Sequence, residues 1–141
     1  MVLKENVLDI DTYLALRKSV GWRQLSKCQA EHALKASLIT ITAYDGDKPI
    51  GMGRLIGDGA VICYIQDLVV VPDAQLSGVG SAIIDRLIRY AKSLREPGTT
   101  MMLCLMCAKG REPFYMKHNF TPRPTDQLGP GMIMYLEEPL Q

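Results

Sequence analysis

The chain alternates between short β-patterned runs and longer helical ones. Leu38 to Tyr44 is rich in β-branched residues, and the turn-forming Asp45-Gly46-Asp47-Lys48 follows it. Pro49 to Ile56 reads as the return strand, although Gly51 and Gly53 weaken its pattern. Gly57-Asp58-Gly59 marks a second hairpin turn, leading into a strand over Ala60 to Val71. Further on, Ile83, Ile84, Leu87, Ile88, Ala91 and Leu94 keep helical spacing, with Arg86, Arg89 and Lys92 turned elsewhere. Pro97-Gly98 ends that helix.

Nearer the N-terminus, Asp9-Ile10-Asp11 offers caps for a helix through Tyr13, Leu14, Leu16 and Arg17, which Gly21 stops. Ser26 to Ser37, with Ala30, Ala33 and Leu34 along one face, predicts a second helix. Met1 to Leu8 carries a weaker strand pattern. Thr99 to Ala108 is an apolar run that predicts a buried strand, Arg111 to His118 a short helix, and Met132 to Leu136 a last strand. The order predicts an α/β fold, a mixed sheet with helices on both faces and a right-handed central β–α–β crossover. No repeat or linker interrupts it, so residues 1–141 read as one domain.

Composition narrows the function. With 141 residues the chain can bury a proper core, and 48% apolar against 22% charged residues is a globular balance. A formal charge of +1 supplies no global field to hold nucleic acid or an anionic membrane, so any polyanion must be gripped locally. Met1 to Asn6 lacks the build of a signal peptide and no apolar stretch reaches spanning length, which places the protein, as an expectation, in the cytoplasm. Cys28, Cys63, Cys104 and Cys107 fit reduced thiols there. Cys104 and Cys107 sit three apart in the apolar run, on opposite faces if it is one strand, and no second pair completes a zinc set. The expectation is two buried structural thiols and no metal site.

The chemistry concentrates between Asp67 and Ser81. A β-branched strand ends at Pro72, and Gln75-Leu76-Ser77-Gly78-Val79-Gly80-Ser81 then opens the long helix. Glycines at a helix mouth allow close approach, and the unpaired N–H groups with the helix dipole favour an anion, so this is a phosphate cradle. It has neither the phosphate-loop lysine nor the dinucleotide fingerprint. Strand, Gln-x-x-Gly-x-Gly and helix together resemble the acetyl-coenzyme-A-binding motif of the GNAT acetyltransferase superfamily. Phe114-Tyr115-Met116-Lys117-His118-Asn119-Phe120 resembles that family's Phe-Tyr-x-x-x-Gly-Phe, with Asn119 in place of glycine. Gly57-Asp58-Gly59, Asp67, Arg123-Pro124 and Gly131-Met132 resemble small bacterial members akin to plastid-type aralkylamine acetyltransferases. The likeness spans about Leu38 to Leu136.

The resemblance implies a GNAT-like fold whose mostly antiparallel sheet splays at the cofactor groove. It implies that the backbone of Val69, Val70 and Val71 pairs with the pantetheine arm of acetyl-coenzyme A, and that the amides of Leu76, Ser77, Gly78, Val79, Gly80 and Ser81 grip the pyrophosphate. Gln75 either joins that site or stays at the surface. Tyr115 occupies the place of the family's tyrosine acid, and a phenol can protonate a departing thiolate. Asp67 either removes the amine proton, directly or through water, or is a buried carboxylate paired with Arg54. Trp22, Tyr64 and Met132, with the loop before it, are candidate walls of an acceptor pocket. Neither His32 nor His118 makes a convincing catalyst. The reading is direct transfer of acetyl to a primary amine of a small molecule, in a ternary complex and possible homodimer. A protein amine as acceptor, and a non-catalytic acyl-coenzyme-A sensor, are the alternatives.

Overall fold

The computed structural model describes residues 1–139. It divides into two compact units, Met1–Leu105 and Met106–Gln141. The first holds a five-stranded sheet in the order of the sequence: β1 (Val2–Glu5), β2 (Ile39–Asp45), β3 (Lys48–Gly57), β4 (Ile62–Val70) and β5 (Met102–Cys104). The first four strands are antiparallel, and β5 lies parallel to β4. Helices α1 (Ile10–Ser19), α2 (Lys27–Lys35) and α3 (Val79–Leu94) complete the unit. None of the described helices is long and apolar enough to cross a membrane.

Capping sets both early helices. Asp9 accepts the Thr12 N–H at 2.8 Å, and Ser26 with Gln29 forms a reciprocal capping box. Leu8, Tyr13, Leu16 and Ala30 then bury against Met52 and Val69 on one face of the sheet. On the other face α3 buries Val79, Ile83, Ile84, Leu87 and Ala91, each large aliphatic side chain contributing about 1.5–3 kcal/mol. The two glycines that weaken β3 make this close approach possible. A Cβ at Gly53 would sit 2.8 Å from both Ile83 Cγ2 and Leu87 Cδ1, and one at Gly51 3.0 Å from Ile83 Cδ1. Thus α1 and α2 cover one face, α3 the other, as the alternation of β3 requires.

Two features of β4 shape everything that follows. Its register against β3 shifts between Met52 and Arg54, and Asp67 takes a left-handed φ of 61° in the bulge. Its ladder with β5 covers only Ile62 to Tyr64. From Ile65 to Val70, no described strand pairs with β4 on that side. The sheet is therefore open along this edge.

The structure corrects three expectations. The strand over Thr99 to Ala108 shrinks to Met102–Cys104, because a ladder requires parallel courses and β4 alters its own at the bulge. Cys107 consequently lies beyond the strand and is exposed, while Cys104 is half-buried, so the two are not a matched pair of buried thiols. Met132 to Leu136 forms no strand; its side chains are exposed, Leu136 at 89%. Apolar content predicted pairing there, but pairing needs a neighbour with free backbone groups.

Candidate active site

Beyond Val70 the chain makes a short 3₁₀ turn over Pro72–Ala74, in which the Ala74 N–H donates to the Val71 carbonyl at 2.9 Å. Leu76 and Gly78 then both adopt left-handed backbone, φ 60° and 88°. Such a conformation is uncommon for leucine, whose side chain here is wholly exposed. A Cβ at Gly78 would meet nothing within 4 Å, so the backbone angle rather than crowding favours glycine there. Gly78 is the N-cap of α3 and offers no side-chain cap. The first helical bond runs from the Ala82 N–H to the Gly78 carbonyl, leaving the amides of Val79 and Gly80 ahead of it without a helical acceptor. No acidic side chain occupies the first turn. The positive end of a helix 16 residues long faces this turn, and its donors fit a diphosphate.

The open edge of β4 feeds directly into that turn. Val71 donates its N–H to the Ile50 carbonyl, toward β3. The Val70 carbonyl accepts instead from Gln75 Nε2 at 3.0 Å. Gln75 thus ties the turn back to the strand, and Val69 to Val71 are held in extended form beside the gap.

Asp67 occupies the centre of a buried cluster. Its Oδ1 accepts from Arg17 Nη1 at 2.5 Å and Gln66 Nε2 at 3.1 Å. Its Oδ2 accepts from Arg54 Nε at 2.8 Å and from the Tyr13 hydroxyl. All four lone-pair positions of the carboxylate are engaged. The Asp67 side chain is fully buried, and Arg17 and Arg54 are nearly so at 11% and 10% exposure. Burial, and then the hydrogen bond to Asp67, pushes the Tyr13 phenol above its ordinary pKa, keeping it a donor. Arg17 also lies 5.3 Å from the Trp22 ring centroid, a cation–π contact.

This cluster floors a cavity of about 390 Å³. Helix α1 contributes Tyr13 and Arg17, α2 Gln29 and His32, and the strands Arg54, Gln66 and Asp67. Of the residues expected to wall a pocket, Trp22 backs Arg17 rather than lining the cavity, and Tyr64 lies half-buried on β4. Met132 is in the second unit and highly exposed. The lining residues that sequence reasoning passed over had a signal. Gln29 and His32 are one turn apart on α2, and Arg17 and Arg54 are charges set into apolar patterns.

In the second unit, α4 (Glu112–Lys117) carries Tyr115. The ring of Tyr115 packs edge-on against Phe114 at 5.0 Å and Phe120 at 6.1 Å. Asn119 closes the helix at φ 68°, and its N–H reaches the Met116 carbonyl at 3.0 Å. Asparagine tolerates this left-handed position better than other non-glycine residues, which explains how the turn survives without glycine.

Comparison with known proteins agrees with this geometry. A family model described as an acetyltransferase (GNAT) domain matches residues 36–122. A Staphylococcus aureus protein of unknown function superposes with a TM-score of 0.82 at 30% identity, over 96% of this chain and 100% of that one. A GNAT-family acetyltransferase of Streptococcus pneumoniae gives 0.78 at 28% identity, over 97% and 98%. A histone acetyltransferase of Glycine max (TAP1) is 38% identical over 96 residues, covering 57% of this chain and 41% of its own length. The chain spans less than two-thirds of the length of the curated relatives it matches.

Proposed function

The chain belongs to the GNAT acetyltransferase family, and on that footing we propose that it transfers acetyl from acetyl-coenzyme A to the primary amine of a small molecule. One observation carries the reading: the unpaired edge of β4 runs straight into a turn whose amides point out ahead of a long helix. Bound acetyl-coenzyme A supplies an activated thioester. Backbone groups of Val69 to Val71 hold the amide-bearing arm as an added strand would, and the amides of Leu76 to Ser81 hold the pyrophosphate. N–H groups on the open edge polarise the thioester carbonyl. Tyr115 gives its proton to the sulfur as the carbon–sulfur bond breaks, while the amine forms the new amide bond and loses its proton to water.

Asp67 takes a positioning role in this scheme. A carboxylate with every lone pair engaged and two guanidinium partners has no site for an incoming proton. Its work is to hold the β4 bulge and the arginines of the cavity. No activated nucleophile is evident for a covalent acetyl-enzyme, so attack is direct, in a ternary complex. Both units together make up one acetyltransferase domain. The free thiols of the four cysteines fit a cytoplasmic compartment, and the exposed run Met132 to Leu136 supports a homodimer.

A cavity of about 390 Å³ suits a small acceptor better than a protein lysine on its chain. Thiol release from acetyl-coenzyme A, followed across a panel of primary amines, tests the reading. Amine-dependent release with formation of the N-acetyl product is the expected result. Tight coenzyme-A binding without release for any amine or peptide would establish a sensor instead.

A further inference from the structure

The hydrogen-bonding groups around the cavity are not symmetric. Two guanidiniums, Arg17 and Arg54, share one carboxylate, so these three groups together carry a formal charge of +1. Arg17 engages Nη1 with Asp67 and Nη2 with the Arg23 carbonyl, and its buried Nε has no acceptor. Donors therefore outnumber acceptors on this side. The two glutamines are each fixed in orientation by a partner. Gln29 Oε1 accepts the Ser26 N–H at 2.9 Å in the capping box, which leaves Nε2 to donate. Gln66 must turn its amide nitrogen toward the Asp67 carboxylate, which leaves Oε1 to accept.

The cavity thus presents guanidiniums from α1 and β3, an amide donor from α2, and an acceptor from β4, the strand whose open edge leads to the phosphate-binding turn. A simple ammonium compound is a poor occupant, because two guanidiniums repel it and no free carboxylate compensates. A molecule bearing an anion at one end and a neutral amine at the other matches every group. Building on the acetyltransferase reading, we infer that the acceptor is an amino acid, its carboxylate held by Arg17 and Gln29 and its amine by Gln66 Oε1. Tyr13, Arg17, His32, Arg54 and Asp67 are the titratable groups facing it, and their net positive charge also favours the deprotonated, nucleophilic amine.

Matched pairs test this directly: each of the twenty amino acids against its decarboxylated amine, phenylalanine against 2-phenylethylamine for example. For the best pair, kcat/KM should favour the amino acid by about 10- to 100-fold, the value of one or two charge-assisted hydrogen bonds. Gln29→Glu keeps the oxygen that caps α2 but replaces the donor with a negative charge. It should erase most of that preference, read within the variant as the ratio of kcat/KM between each amino acid and its decarboxylated amine. Calorimetric titration of the same pairs without acetyl-coenzyme A separates the two proposals. Binding of an amino acid and not of its amine, with no acetylation of either, would uphold amino-acid recognition by this cavity and overturn both its role as acceptor and the acetyltransferase reading. Decarboxylated amines acetylated as well as or better than amino acids would overturn this inference and leave that reading intact. No binding and no acetylation of any amino acid would also overturn it.

Discussion

Two stretches flank Val69 to Val71, and they treat their polar groups in opposite ways. On one side Asp67 is buried and saturated, with four donors around one carboxylate. On the other, the turn is exposed from Gln75 to Gly78, and the amides of Val79 and Gly80 have no acceptor within the helix they begin. Each is reached through a left-handed residue, Asp67 at 61° and Leu76 at 60°. The contrast separates architecture from binding. Groups already engaged with one another fix a shape, whereas groups left unengaged are those a ligand can use. Removing a saturated group should therefore cost stability, and obstructing an unengaged one should cost affinity.

The strongest way to break that division is to find proton chemistry in the saturated cluster. If Asp67 is architectural, the acid is elsewhere, and Tyr115→Phe should lower turnover by about 100- to 10,000-fold. Its folding should be unchanged, since the ring contacts with Phe114 and Phe120 remain. Steady-state kinetics with a responsive amine, beside thermal melts of both proteins, gives the answer. Wild-type turnover in the variant would return Tyr115 to packing and move suspicion to ordered water.

Asp67→Asn should behave in the opposite sense. It leaves Arg17 and Arg54 nearly buried without their counter-charge, a loss of about 3–5 kcal/mol of folding free energy. Urea denaturation should show it as a shifted midpoint with little change of slope. A variant of full stability that loses only the acidic limb of its pH–rate profile would restore Asp67 as a general base.

Gly80→Asp sharpens the other half of the comparison. An acidic residue in the first turn of a helix is favourable to the helix itself, so the fold should hold. Placed against a pyrophosphate, it should weaken coenzyme-A binding by about a hundredfold, the equivalent of roughly 3 kcal/mol. Calorimetry on a variant with a normal melt tests this. Unchanged affinity would remove the turn from the binding site.

Tyr13→Phe is the smallest and most specific change, deleting one of four donors to Asp67 at a cost of about 1.5–3 kcal/mol. Its pH dependence has a definite sign. The folded phenol holds its proton more tightly than the unfolded one, which ionises near pH 10. The wild-type advantage over the variant is therefore full below about pH 10 and is lost as pH rises through the folded value. An advantage that grew with alkalinity would mean that the hydroxyl is not the donor.

Local structure was written plainly in the residues. Asp9 and Ser26 cap helices because their side chains reach backbone N–H groups three residues on, a contact that needs no distant partner. The turn from Gln75 to Ser81 was legible for the same reason, since its geometry follows from glycine and from the end of a strand. Met132 to Leu136 has the composition of a strand and forms none among the described residues, because pairing depends on what lies alongside. The glycines of β3 looked like defects until α3 was seen packed against them, with Ile83 and Leu87 in the space a Cβ would fill.

The cavity between α1, α2 and the sheet belongs wholly to that second kind of information. Tyr13, Arg17, Gln29, Arg54 and Asp67 come from two helices and two strands, and no spacing along the chain announces that they meet. Sequence alone determined the family, the helix caps and the glycine turn that opens α3, because each rests on interactions among near neighbours or on the conformational freedom of single residues. Tertiary structure decided that Asp67 is saturated, that β4 has an open edge, and which way two glutamine amides face. Those outcomes depend on which distant groups share a buried space, where every donor must find an acceptor or stay available for a ligand.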